Sequence, residues 1–243
     1  MDFPFQAASL LPIDASAHGP AIDHHLLLNI WVILALAALA HVILLIGLVV
    51  RRRSEATNWR VEYLPLAALA ILFAFLTVRA ERLWAAARYT GAEPTALQVQ
   101  VTGEQFAWYF RYPGPDATFG TTRPQLIDAG AGNPLGIDPT DSHGADDLIT
   151  SELVLPANRQ VDLRLNALDV IHGFSVPEMR LKQNAVPGMT IHLHFTPKLP
   201  GTYAILCTQV CGLGHYRMNA NLRVLPPEEF ADWLATKQKA AQP

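Results

Sequence analysis

The hydrophobic pattern changes period along the chain. From Leu26 to Val50 the run LLLNIWVILALAALAHVILLIGLVV holds 25 residues without a formal charge. At helical rise this is roughly 37 Å, enough to cross a bilayer core with some tilt. Asn29 and His41 are its strongly polar members. A second apolar run extends from Val61 to Val78 and is followed by RAERLW. A helix carried on to about Trp84 would let Arg79 and Arg82 snorkel to the interface. Pro65 is compatible with the first turn of that helix. A buried helical hairpin of a soluble protein is the competing reading, and the lengths of the runs favour two membrane spans. A cleavable signal peptide is not expected, because the first run is too long and the preceding 25 residues lack a basic n-region.

From Thr95 the period falls to two. ALQVQVTG, VDLRLNA, TIHLHF, YAILC and NANLRVL alternate apolar and polar positions, and QFAWYFRY is rich in aromatics. Alternation of this kind marks half-buried strands. Short strands broken by Pro and Gly, as in LPANRQ, AVPGM and KLPGTY, predict a β-sandwich. Between Pro113 and Thr150 the chain is rich in Gly, Pro, Asp and Ala and has little period, which reads as a long surface excursion. PPEEFADWLATKQKAA, from Pro226, predicts a terminal helix with acids in its first turn and lysines in its last.

Charge orients these parts. The link RRRSEATNWR between the apolar runs carries four arginines and one glutamate. The positive-inside rule places it in the cytoplasm, with both termini and the β region outside. The formal net charge of the 243 residues is −3, and no basic block points to nucleic acid. The outer compartment is oxidising, so a cysteine pair there needs a reason.

Both cysteines of the chain lie in CTQVCGLGHYRM, positions 207 to 218. Thiolate, thioether and imidazole together favour copper. A Cys-x3-Cys disulfide or a zinc site is compatible with the same residues. DVIHGFSVPEM supplies His172 about 35 residues upstream of the cluster, the ligand order expected when a sandwich brings two loops together at one end.

Cys207-x3-Cys211-x3-His215-x2-Met218, with VIHGFSVP, LKQNAVPG and the N-terminal apolar pair, resembles subunit II of haem–copper cytochrome c oxidases over nearly the whole chain. The resemblance implies a membrane α hairpin plus an all-β part, with two transmembrane helices followed by a cupredoxin-like β-sandwich. Its domains would be an extracytoplasmic segment at 1–25, the hairpin at 26–84, the cupredoxin domain at 95–226 and a C-terminal helix and tail at 227–243. It also implies a binuclear copper centre, CuA. Cys207 and Cys211 would bridge both coppers, and His172 and His215 would each cap one. Met218 and the backbone carbonyl of Gln209 would be weak ligands. Electrons would come from a cytochrome c-type donor or an adjoining respiratory complex and pass to the haem of the catalytic subunit. The setting implied is the periplasmic side of a bacterial inner membrane, beside a haem-bearing subunit I.

The chain departs from the family pattern at several positions. Gln209 stands where the family commonly has Glu, and Asn184 where it has Asp, which makes an interfacial Mg2+ site doubtful. The tryptophan at which electrons usually enter is Phe106 here, with Trp108 two residues on. Both are candidates for electron entry, while Phe106, Trp108 and Phe110 also fit a sandwich core. Glu62 is the candidate for proton entry, and a structural interfacial carboxylate is the competing reading. Asp116, Asp128, Asp138, Asp141, Asp146 and Asp147 could form an acidic face that steers a basic donor. No Cys-x-x-Cys-His occurs, so the donor is expected to be a separate protein. Two rival functions remain: a copper-free quinol oxidase subunit II, and a membrane-tethered copper carrier or structural subunit.

Overall fold

The computed structural model describes residues 11–50 and 58–241. The arginines on which membrane orientation rests, at positions 51–53, lie outside the described residues. The chain forms two compact units, one of them Pro20–Thr90 and the other Gly91–Pro243 joined by the residues up to Gly19.

The helical unit consists of α1 (Gly19–Val49) and α2 (Trp59–Arg88). Both are long and apolar enough to cross a membrane. Most of their leucines, isoleucines and phenylalanines are exposed, as apolar surface meant for lipid would be. The first helix begins seven residues before its apolar run, because the Ser16 hydroxyl accepts the Gly19 N–H at 3.0 Å and so provides a cap. Asn58 caps the second, its side-chain oxygen accepting the Arg60 N–H at 3.1 Å.

The β unit is a two-sheet sandwich. Its strands are β1 (Leu97–Glu104), β2 (Ala107–Tyr112), β3 (Leu148–Thr150), β4 (Leu153–Pro156), β5 (Val161–Ala167), β6 (His172–Val176), β7 (Leu181–Ala185), β8 (Ile191–Phe195), β9 (Gly201–Cys207) and β10 (Asn219–Leu225). One sheet runs β3-β2-β1-β5-β8 and the other β4-β10-β9-β6-β7. The pairs β1–β5 and β4–β10 are parallel, and the remaining pairs are antiparallel. Because side chains alternate, one parity of each strand faces inward. Val99, Val101, Phe110, Leu163 and Leu165 from the first sheet meet Phe174, Val176, Ile205, Leu222 and Val224 from the second. The last helix, α3 (Pro227–Ala241), closes one side, with Trp233 edge-on to Tyr112 at 5.4 Å between ring centres.

Two segments read as peripheral are built into this unit. Residues 11–19 lie against it as a strap. Ala15 donates its N–H to the Glu178 carbonyl at 2.8 Å, and Lys198 donates to the Ala15 carbonyl at 2.7 Å. The excursion after β2 covers the outward side of the first sheet. Arg111 points outward by strand parity, yet it is 1% exposed. Its guanidinium is held by Asp147, by the Gly120 carbonyl at 2.6 Å and by Gln100 at 3.2 Å. Phe119 lies 5.3 Å from the Arg111 guanidinium and 5.1 Å from that of Arg164, a cation–π pair of contacts that seats the loop on the sheet.

Candidate metal centre

Strand parity aims the functional side chains into one end of the sandwich. His172 opens β6 on the same face as buried Phe174 and Val176. Cys207 closes β9 on the same face as buried Ile205. The two strands are antiparallel neighbours with Phe174 opposite Cys207, so their ends meet. The chain then turns sharply back across β6, where the Thr208 N–H donates to the Gly173 carbonyl at 2.9 Å. Only glycine fits at 173, since a Cβ there would lie 2.6 Å from the Thr208 hydroxyl and 2.7 Å from the Gln209 nitrogen.

This turn gathers the remaining donors. The Cys207 and Cys211 sulfurs are 3.8 Å apart and unbonded. Cys211 Sγ is 3.7 Å from His215 Nδ1 and 3.7 Å from Met218 Sδ. His172 Nδ1 is 3.1 Å from Met218 Sδ. The ligand atoms of His172, Cys207 and Cys211 all fall within 4.8 Å of one another. Cys207 Sγ lies 3.2 Å from the Gln209 carbonyl oxygen, so that backbone group faces the cluster while the Gln209 side chain is exposed. His172, Cys211 and Met218 are buried, whereas Cys207 and His215 are partly exposed. Burial, reinforced by the adjacent Cys207 thiol, pushes the Cys211 thiol up to about 11. A metal entering here displaces protons.

Asp169 fixes the orientation of His172. Its carboxylate accepts a hydrogen bond from His172 Nε2 at 2.8 Å, which leaves Nδ1 as the lone-pair nitrogen facing the sulfurs. The position three residues before His172 in DVIH is the signal from which this partner could have been found. Two thiolate–metal bonds of about 2.3 Å can span sulfurs 3.8 Å apart, so the donor set fits shared soft ions.

The other candidate residues are placed differently. Trp108 is 2% exposed, in line with the sandwich-core reading. It packs edge-on to His172 at 5.9 Å and to Phe174 at 5.5 Å, as a core residue beneath the site. Phe106 is not on the strand with Trp108. It sits in the two-residue turn between Glu104 and Ala107, half-buried against the loop that carries Gly212 and Gly214. Glu62 is in the first turn of α2, in the helical unit. Asn184 lies in β7 opposite Gly173. The most exposed apolar residues around the cysteine loop are Val210 at 77%, Leu213 at 98% and Tyr216 at 84%. No period marks them, because the loop has none.

The family model for cytochrome C oxidase subunit II, periplasmic domain, matches residues 97–224. The alternative cytochrome c oxidase subunit 2 of Bradyrhizobium diazoefficiens is 36% identical over 148 residues, which is 60% of this chain and 53% of that protein. Cytochrome c oxidase subunit 2 of Cereibacter sphaeroides is 32% identical over 155 residues, covering 57% of this chain and 48% of that one. The matches thus span about half the length of these two relatives, and 34% of the Synechocystis protein. The solved periplasmic domain of cytochrome oxidase subunit II from Bradyrhizobium japonicum is 27% identical with a TM-score of 0.45, covering 62% of this chain and 99% of that domain.

Proposed function

The chain belongs to the cytochrome c oxidase subunit II family, and from that premise we propose that it is the electron-entry subunit of a terminal oxidase. It takes electrons from a cytochrome c-type donor at a binuclear CuA centre and delivers them to the haem of a catalytic subunit, where oxygen is reduced. The observation that carries this reading is the convergence of two unbonded thiols, two imidazoles and a thioether at one end of the sandwich. Copper held there would supply one-electron redox chemistry. The residues of the chain do the rest. Cys207 and Cys211 would hold the copper with their sulfurs, His172 and His215 with their nitrogens, and Met218 and the Gln209 carbonyl with weaker contacts. The β6 and β9 ends hold these donors on a rigid scaffold, so little has to move between oxidation states. Buried Trp108, Phe174 and Met218 keep water from the inner side.

The helical pair would anchor the unit, with the arginine-bearing link cytoplasmic and the copper end periplasmic. The donor would approach over the loop of Val210, Leu213 and Tyr216, which rests on half-buried Phe106. Neither Gln209 nor Asn184 supplies a carboxylate, so Mg2+ or Mn2+ would not be held tightly beside the copper. A high-affinity Mn2+ resonance abolished by Gln209→Ala would overturn that statement.

Copper stoichiometry tests the main reading. The detergent-solubilised full chain should bind two coppers, with near-infrared absorbance and a seven-line EPR signal. Cys207→Ser and Cys211→Ser should each lose that signal. No copper would favour the quinol oxidase relative, and one loosely held copper a carrier.

A further inference from the structure

We propose that Gln105 is a positioning residue that ties together the two halves of the metal centre. The halves come from separate stretches, the His172 stretch and the loop from Cys207 to Met218. Gln105 belongs to neither. It sits with Phe106 at the tip of the β1–β2 hairpin, where Glu104 pairs with Ala107. Its side-chain amide donates to the carbonyl of Cys211 at 2.6 Å. Its backbone N–H donates to Asp169 Oδ2 at 2.8 Å, and the other oxygen of that carboxylate holds His172 Nε2 at 2.8 Å. One residue therefore grips a cysteine's backbone with its side chain and a histidine's orienting partner with its main chain.

The neighbouring contacts fit that function. A Cβ at Gly212 would lie 2.7 Å from Gln105 Nε2 and 3.1 Å from the Phe106 ring. A Cβ at Gly214 would lie 2.4 Å from the same ring. The cysteine loop thus rests directly on the hairpin tip, and two glycines make the approach possible. Cys211 is in no disulfide, so the place of its sulfur depends on where its backbone is held. The amide of Gln105 holds it.

This rests on the copper reading, and the first part of the test does not. In the metal-free full chain, Cys211 is buried and Cys207 partly exposed. Alkylation by iodoacetamide, followed at each thiol by mass spectrometry, reports the loop. Gln105→Leu keeps the size and removes the donor. It should speed Cys211 alkylation about fivefold, the opening that loss of one ordinary hydrogen bond permits. Gln105→Glu sets an acceptor against the Cys211 carbonyl and should speed it further. Unchanged Cys211 rates in both variants would overturn the proposal. In the copper-loaded chain, Gln105→Leu should lose copper to a chelator several-fold faster and alter the EPR hyperfine pattern. Combined with Asp169→Asn, its effect on copper loss should depart from the product of the single effects, as coupled residues do. Purely multiplicative effects would show that no tie joins the halves. A variant that slowed donor oxidation while alkylation and copper retention stayed at wild-type values would make Gln105 a docking contact instead. Failure of the wild-type chain to bind copper would sink the copper reading while the alkylation result still judged the tie.

Discussion

Arg111 and Asp147 form an ion pair in a place closed to water. Their side chains are 2% and 0% exposed, and the Arg111 Nε donates to the Asp147 carboxylate at 2.9 Å. Asp147 also accepts the Gly120 N–H at 2.9 Å, which anchors the middle of the excursion. Removing one partner leaves the other charge buried and uncompensated, a loss of about 3–5 kcal/mol. Arg111→Met preserves the stem and deletes the charge. Its thermal or denaturant midpoint should fall accordingly, and a midpoint equal to wild type would show that the pair contributes nothing. The proposed copper ligands differ from this pair. Their substitution should change spectra first, because His172, Cys211 and Met218 are packed within a core that Trp108 and Phe174 already fill.

The excursion from 113 to 147 is the element whose sequence was least readable and whose construction is most specific. Some of its acids are engaged within the loop itself. Asp138 pairs with Arg123 at 2.7 Å, Asp116 with His143 at 2.5 Å, and Asp128 accepts the Ala131 N–H at 3.0 Å. Asp141 accepts the Thr121 N–H, chiefly for which reason its carboxyl falls to about 2. The hydrogen bond to Asp116 raises His143 above its ordinary value. A group raised on folding stabilises the fold fully below its unfolded pKa of about 6.5 and loses that contribution as pH climbs through the folded value. His143→Gln should therefore lower the melting temperature more near pH 5 than near pH 8. The pair is exposed, so the difference should be small and should shrink in salt. A difference that grew with pH would contradict the sign.

At the scale of the whole molecule, the proposed electron entry depends on the surface around the cysteine loop. Val210, Leu213 and Tyr216 are the prominent exposed residues there, and the excursion's acids are largely engaged with their own loop. Donor oxidation should therefore depend only weakly on ionic strength, since apolar contact is not screened by salt. A steep fall with rising salt would restore steering by charge. Phe106→Ala, with copper content unchanged, should slow donor oxidation. An unchanged rate would remove Phe106 as the entry aromatic.

Much of this protein could be read one residue at a time. Two apolar runs of bilayer length, a switch to period-two alternation, and His172, Cys207, Cys211, His215 and Met218 at family spacing all depend on local pattern, and local pattern is written in order along the chain. The resemblance in turn implied the fold and a ligand set. Tertiary structure decided what depends on meeting across distance. Trp108 and Phe106 look alike in sequence, but one is core beneath His172 and the other turns out at a hairpin tip. The strap at 11–19 and the buried Arg111 have no periodic signature, because their partners, Glu178, Thr196 and Asp147, come from distant parts of the chain. Gln105 is the plainest case. It is an ordinary turn residue in the sequence, and only the folding of three separate stretches to one end of the sandwich sets its amide on Cys211 and its backbone on Asp169.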